Sequence, residues 1–251
     1  MTTDQLALLE VDGCCATLTL NRADKRNAFS LDLLSSLHAK MDELEKLGDV
    51  HVLTITGAGK SFCAGMDLKQ VMGDAKAGHE LLSSLGRLTH RVRTLPMAVV
   101  GVVKGAAIGG GCGFACVCDF ALTHDDAVLG FPEVDLGLCP AVVAPWVVRR
   151  LGAGPARQLL LAGGTLKGAK AAEIGLVTAS LPTVHRLDEA ADKLVESLKA
   201  AGPGALRATK QLLNEFDGSD QDADLVRGAA LSATVLASKD AQQRLQARFG
   251  G

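Results

Sequence analysis

Three short segments combine residue types that can stabilise an enolate and move a proton. They are residues 61–68, with Gly65, Met66 and Asp67; residues 104–113, with Gly109, Gly110, Gly111 and Gly113; and residues 131–138, with Glu133 directly after Pro132. Each follows a stretch with strand character. Two glycine-bearing loops leaving neighbouring strands can each turn a backbone N–H toward one point, and a helix starting at Gly111 adds its positive end there. That outlines an oxyanion hole. Such a hole stabilises the enolate formed when a thioester loses an α-proton, and losing one donor typically costs about 10²–10³ in rate. A base must then lie nearby. Glu133 stands in an otherwise apolar segment, where partial desolvation raises a carboxyl pKa toward the range useful for proton transfer. Its bland alternative is a surface glutamate.

Other chemistries lack their residues. Gly57, Gly59, Lys60 and Ser61 imitate a phosphate loop, but G-x-x-x-x-G-K-[ST] needs glycine at position 54, where Thr54 stands. Gly109, Gly110, Gly111 and Gly113 give no register of G-x-G-x-x-G, because Phe114 or Cys116 falls on the last glycine position. Cys112, Cys116 and Cys118 lack a second Cys or His pair at zinc spacing and read as buried thiols, so no metal is expected. There is no G-x-S-x-G elbow, and no nucleophile motif accompanies any of the six histidines.

The elements that must position these segments follow from periodicity. Two β-rich runs, 6–11 and 14–20, flank Asp12-Gly13, a strong hairpin signal. Ser30 caps a predicted helix over 31–47 with Gly48 as its stop, and 50–56 reads as a buried strand. After a glycine-rich loop to Met66, Leu81, Leu82, Leu85, Leu88 and Val92 share one face of a helix that ends before Pro96. Then come a buried strand at 97–103, a glycine-rich turn at 104–111, a short helix at 112–118, and short strands at 121–123 and 128–129. From Val142 onward the pattern is helical. The class is α/β (α+β), with a core over 1–190 and a helical region over 191–251.

Composition narrows the partners. The 251 residues are 48% hydrophobic and 22% charged, an ordinary globular balance with mean hydropathy +0.22. A net charge of −2, one Trp and no Tyr argue against nucleic-acid binding. The predicted helix over 31–47 carries only Lys40 and Lys46 against Asp32, Asp42, Glu43 and Glu45. Seven cysteines, two of them adjacent, suit reduced thiols and a cytoplasmic location. The first twelve residues carry Asp4, Glu10 and Asp12 and no signal-peptide pattern, so the mature chain is expected to start at Met1. Lys104 interrupts the most apolar stretch, 97–118, leaving no span of membrane length.

The combination of Asn21-Arg22, Asn27-Ala28, Ala64 to Leu68, Gly109 to Gly111 and Pro132-Glu133 resembles the enoyl-CoA hydratase/isomerase family, the crotonase superfamily. The resemblance covers essentially the whole chain. It implies a spiral of ββα turns with a helical C-terminal part that trimerises, assembly as a homotrimer or dimer of trimers, and an acyl-CoA thioester substrate with no cofactor beyond the CoA it carries. It implies oxyanion donors at the backbone N–H of Met66 and Gly110, Glu133 as acid/base, and substrate contacts from Arg26, Ala28, Ala64, Asp67, Leu68, Gly109, Pro132 and Leu138. Asp67 serves equally well as a simple N-cap, and Asp135, two residues past Glu133, faces either the same cavity or solvent or an inter-subunit salt bridge. Met66, Phe131, Leu138 and Trp146 are candidate acyl-pocket walls.

Two departures matter. Hydratases of the family commonly carry two glutamates, and Gly113 stands where the first is expected. A single carboxylate suits a delta-isomerase, in which one base removes and returns a proton. Gly137-Leu138 with Pro140-Ala141 instead looks like bacterial hydratases for branched, methylglutaconyl-type acyl-CoAs, where Gly replaces the first glutamate and the second activates water alone. The missing glutamate also leaves open a non-catalytic CoA-thioester binder. Relatives usually continue past Arg248-Phe249 with a basic segment on the CoA phosphates, so weaker CoA affinity is expected here.

Overall fold

The computed structural model describes residues 6–249. The expectations about Met1 and about the chain's last two glycines lie outside them. Alternation in β2 (Cys15–Leu20) buries Ala16, Leu18 and Leu20, and Asp12-Gly13 turns the chain back to pair β1 (Ala7–Asp12) antiparallel with it. Gly13 takes φ 57°, the left-handed conformation that this tight turn needs. Helix α1 (Leu31–Leu44) follows, its first turn held by Ser30 Oγ, which accepts from Leu33 N at 3.1 Å. Leu33, Leu34, Leu37, Met41 and Leu44 are buried. The helix stops short of the predicted Gly48 because its apolar stripe is complete at Leu44, and Leu47 is left 37% exposed.

Crossovers through α1 and through α2 (Leu68–Val71) and α3 (Ala75–Thr94) add β3 (Val52–Gly57) and β4 (Ala98–Val103) in parallel. With β6 (Phe120–His124) and β9 (Ala179–Leu181) they form a six-stranded sheet, ordered β1-β2-β3-β4-β6-β9. A second sheet orders β5 (Ala106–Ile108), β7 (Val128–Gly130) and β8 (Thr165–Lys167). Three of these strands depart from the sequence reading: β5 lies inside the predicted glycine-rich turn, and β8 and β9 inside the predicted all-helical stretch. Each has three residues, too few to show a period of two, and each is held by pairing with residues distant in sequence. The helix predicted at 112–118 forms as α4 (Gly110–Cys116), because β5 delivers the chain to its start two residues earlier.

The rest is helical: α5 (Ala144–Leu151), α6 (Ala153–Ala162), α7 (Gly168–Glu173), α8 (Val184–Lys199), α9 (Pro203–Asp217), α10 (Ala223–Leu236) and α11 (Lys239–Phe249). Helix α8 continues unbroken through residues 190 and 191 and buries Leu187, Ala191 and Leu198 with Val52, Val100 and Leu122 of the large sheet. Phe29, Phe62 and Phe114 form an aromatic core beneath the site, with centroids 5.7 and 6.2 Å apart. No helix among the described residues is long and apolar enough to cross a membrane.

Candidate active site

The loop after β3 is fixed from both sides. Cys63 N donates to Ala106 O and Ile108 N to Cys63 O, both at 3.0 Å, which ties the loop to β5. Phe29 N donates to Gly65 O at 2.7 Å and receives the N–H of Asp67 at 2.8 Å on its own carbonyl. Met66 sits between those two bonds, and its own N–H makes none among the described residues. Gly65, at φ 90°, is required here: a Cβ on it would stand 2.7 Å from Ile108 O. The second donor arises similarly. Gly109 N donates to Gly130 O at 2.8 Å and Gly113 N to Gly109 O at 2.9 Å, while Gly110 N–H, at the first turn of α4, makes no bond among the described residues.

Glu133 comes from the loop after β7, where Phe131 N donates to Gly164 O at 3.1 Å. The 3₁₀ turn Val134–Leu136 follows, and Leu138 N donates to Glu133 O at 2.8 Å. The Glu133 carboxylate approaches so closely that a Cβ on Gly109 would lie 2.7 Å from its Oε1. Glu133 is 9% exposed, and its Oε2 is buried with no hydrogen-bond partner. Burial therefore pushes its pKa up to about 7, with a smaller push from the Asp135 carboxylate and an opposing hydrogen bond from its own backbone. A carboxyl group poised there can take and return a proton near neutral pH.

All eleven residues singled out in the sequence line one cleft of about 980 Å³: Met66, Gly110 and Glu133 with Arg26, Ala28, Ala64, Asp67, Leu68, Gly109, Pro132 and Leu138. Asp67 makes no capping bond. Its Oδ2 accepts from Arg22 Nη1 at 2.8 Å, joining the 22–28 segment to the loop after β3. Of the options open for Asp135, the structure takes the cavity: it lines the cleft, its Oδ2 accepting from Gly164 N at 2.9 Å. Sequence reasoning missed Lys69, Arg248 and Phe249; the last two are brought to the cleft by α11, which no local pattern signals.

Beyond Glu133 the cleft narrows to an apolar pocket of about 20 Å³. Leu82 and Leu85 of α3, Val143, and Leu236 of α10 wall it, with Met66 and Leu138 shared with the cleft. Two expected walls are elsewhere. Phe131 is fully buried in the core, and Trp146 borders a separate cavity, because α5 turns its ring away from Glu133. The place of the absent glutamate is occupied: a Cβ on Gly113 would fall 2.2 Å from Val143 Cγ1 and 2.5 Å from Val143 Cβ. Cys112, Cys116 and Cys118 are buried on α4 and just beyond it.

Two backbone N–H groups without a partner among the described residues and one desolvated carboxylate thus meet in one cleft on a parallel-stranded core, an arrangement chemically able to receive developing oxyanion charge beside a proton acceptor. Comparison with known proteins names the lineage. The sequence profile described as Enoyl-CoA hydratase/isomerase matches residues 10–247. A relative from Thermus thermophilus is 35% identical over 243 residues, covering 94% of this chain and 95% of its own. The Short-chain-enoyl-CoA hydratase of Clostridium acetobutylicum is 30% identical, with coverages of 96% and 93%. The crystal structure of an enoyl-CoA hydratase from Mycobacterium avium subsp. paratuberculosis superposes with a TM-score of 0.85 at 26% identity, covering 95% of this chain and 97% of that one. The chain belongs to the enoyl-CoA hydratase/isomerase family and shares its crotonase fold.

Proposed function

We propose that this protein hydrates a short 2-enoyl-CoA thioester, with Glu133 as its only carboxylate acid/base. Glu133 takes a proton from water as the water oxygen bonds to the β-carbon. The π electrons move onto the thioester oxygen, where the N–H groups of Met66 and Gly110 receive the charge. As the enolate collapses, Glu133 returns the proton to the α-carbon, so one residue serves as base and then acid. Arg26, Ala28, Ala64, Asp67 and Leu68 accompany the CoA moiety, and no cofactor is needed beyond the CoA of the substrate. The observation that carries this reading is the buried Glu133 carboxylate, its Oε2 without a hydrogen-bond partner among the described residues, packed against Gly109, one residue from a backbone N–H that makes no bond among them.

The occupied space at Gly113 favours a second reading, delta-isomerisation, because a lone carboxylate can shuttle one proton between the α- and γ-carbons of a 3-enoyl-CoA. A non-catalytic CoA-thioester binder is the remaining alternative. Crotonyl-CoA, 3-methylglutaconyl-CoA and a 3-enoyl-CoA, followed at the enoyl-thioester absorbance with products weighed, separate these readings. Loss of the band with a gain of about eighteen mass units identifies the hydratase. Appearance of the band at constant mass identifies the isomerase, and silence with intact binding removes both.

Assembly as a trimer or dimer of trimers through the C-terminal helices is part of this proposal. Leu212, Leu213 and Phe216 of α9 and Val226 and Leu231 of α10 stand exposed, an apolar surface that a partner copy would cover. The reduced-thiol composition suits action in the cytoplasm.

A further inference from the structure

A second cavity, of about 450 Å³, lies at the opposite end of α4 from Gly110. Cys116 at that end of α4, Arg93 of α3 and three residues of α5, Trp146, Arg149 and Arg150, border it. Seven residues of helix at ~1.5 Å rise separate it from the oxyanion donor by roughly 10 Å. Its size falls within the range of small-ligand sites, roughly 300–1,000 Å³.

The acidic groups at this cavity are already engaged. Asp119 accepts from Lys210 Nζ and from Val99 N, both at 2.8 Å, and Asp217 accepts from Arg93 Nη2 at 2.9 Å. The two arginines of α5 are not matched in this way. Arg149 donates to the main-chain carbonyls of Asp217 and Gly218, at 3.0 and 2.9 Å. Arg150 donates to Cys118 O and Thr178 Oγ1, both at 3.1 Å. The acid nearest Arg149, Asp224, is 3.6 Å away with a side chain 69% exposed. Arg150 is thus held in place by neutral acceptors alone among the described residues, and Arg149 by two carbonyls with one long ion pair to an exposed acid. Arg149 sits 5.0 Å over the Trp146 ring, and both Arg149 Nη1 and Trp146 Nε1 are buried without an acceptor among the described residues. Trp146 itself is 2% exposed, so water does not relieve its N–H.

Rigid guanidinium forks with spare donors match the paired oxygens of a phosphate or carboxylate, and desolvation strengthens such charge-assisted bonds. We propose that this cavity is a second ligand site, which takes a small phosphate- or carboxylate-class oxyanion between Arg149 and Arg150 beside Trp146. It serves neither the enolate nor the CoA cleft.

Trp146 is the only tryptophan in the chain, so the cavity carries its own reporter. Its emission is titrated in the intact protein with inorganic phosphate and, separately, with malonate, at an ionic strength held constant with chloride. The unfolding temperature is measured across the same series. A saturable emission change and a matching rise in unfolding temperature are expected, and the anion that binds tighter tells phosphate from carboxylate ligands. Half-saturation should rise at least tenfold in Arg150→Met and fall between the two in Arg150→Lys, which keeps the charge and loses the fork. If Arg150→Met does not fold, Arg150→Lys carries the comparison. The proposal is overturned by no saturable change with either anion, by unchanged half-saturation in the arginine variants, or by displacement of the bound anion by free CoA, which would place it in the cleft beside Glu133.

Discussion

On one side of Glu133 the cleft is wide, about 980 Å³, and rimmed by Lys25, Arg26, Lys69 and Arg248; on the other, the space shrinks to about 20 Å³ between Leu82, Leu85, Val143 and Leu236. The two share Met66, Gly110, Glu133 and Leu138, and the contrast comes from the elements on either side: α3, α10 and the 139–143 loop close the narrow side, while the 22–28 segment, the loop after β3 and α11 border the wide one. The wide side can hold a large polar group by many weak, solvated contacts. The narrow side excludes water from one carboxylate and thereby sets its proton affinity. On the proposed reading, binding and proton chemistry thus fall to opposite faces of a single glutamate, and substitutions on the two sides should differ in kind as well as in size.

The largest effect is expected at the junction. Glu133→Gln should lower kcat by about 10²–10⁴ while leaving KM for the CoA ester within a few-fold. In the wild type, kcat/KM should rise with pH through about 7 and then level, because the ionised carboxylate is the working base. Stability should move oppositely. A carboxyl raised from 4.5 to about 7 in the folded state favours folding at low pH, and that contribution is lost as pH climbs through about 7. Glutamine has no charge to desolvate, so the variant should gain on the order of 3 kcal/mol over wild type at pH 8 and almost nothing at pH 4.5. Thermal unfolding at the two pH values checks this, and an equal difference at both would mean that water reaches Glu133.

Next in size is the floor of the narrow side. Gly113→Ala should cost about 1–3 kcal/mol of stability, because the new Cβ meets the stiff branched side chain of Val143 rather than a movable chain end. Gly113→Glu should cost more and should not create a two-glutamate hydratase. Adding Val143→Ala should recover part of the loss, which denaturant unfolding of the single and double variants measures. Full stability of Gly113→Glu alone would show that the pocket yields and that the contrast between the two faces is softer than the packing implies.

Chain length probes the same wall from within. With about 20 Å³ free beyond Glu133, kcat/KM should fall at least about tenfold from a four-carbon to an eight-carbon 2-enoyl-CoA. Leu236 leans on Gly78, where a Cβ would lie 2.7 Å from its Cδ2, so it closes the far end without room to retreat. Leu236→Ala should narrow the ratio between the two substrates. A wild type indifferent to chain length would sink the narrow-pocket reading while leaving the hydratase reading intact.

How much of this was legible beforehand depended on sequence distance. The hairpin at Asp12-Gly13 and helix α1 announce themselves within a dozen residues, and the glycines at 65 and 109 mark close approaches that the structure realises against Ile108 O and the Glu133 carboxylate. Strands β5, β8 and β9 did not, since three residues carry no period and owe their form to distant partners. The same holds within the site. Gly113 is visible as a missing carboxylate, but its replacement by Val143 in space is a fact of how α4 and α5 pack. Arg248 and Phe249 reach the cleft from more than a hundred residues beyond the nearest other lining residue, and residue type alone could not say that Trp146 faces a different cavity from Leu138.

The smallest effect belongs to the rim of the wide side, where the comparison is sharpest. Arg26 is exposed and held at φ 51° at the end of the 3₁₀ turn Ala23–Lys25, with no carboxylate partner within bonding distance among the described residues. As a solvated cation it should contribute through screened attraction to the CoA phosphates and nothing more. Arg26→Ala should therefore raise KM about two- to five-fold at low salt, leave kcat unchanged, and lose most of its effect at about 0.5 M salt. Steady-state kinetics at two ionic strengths decide it. A fall in kcat would mean that the φ-strained turn, through Ala64 N to Arg26 O at 3.0 Å, transmits to the oxyanion loop, and the division of labour between the two faces would then have to be drawn at Arg22–Asp67 instead of at Glu133.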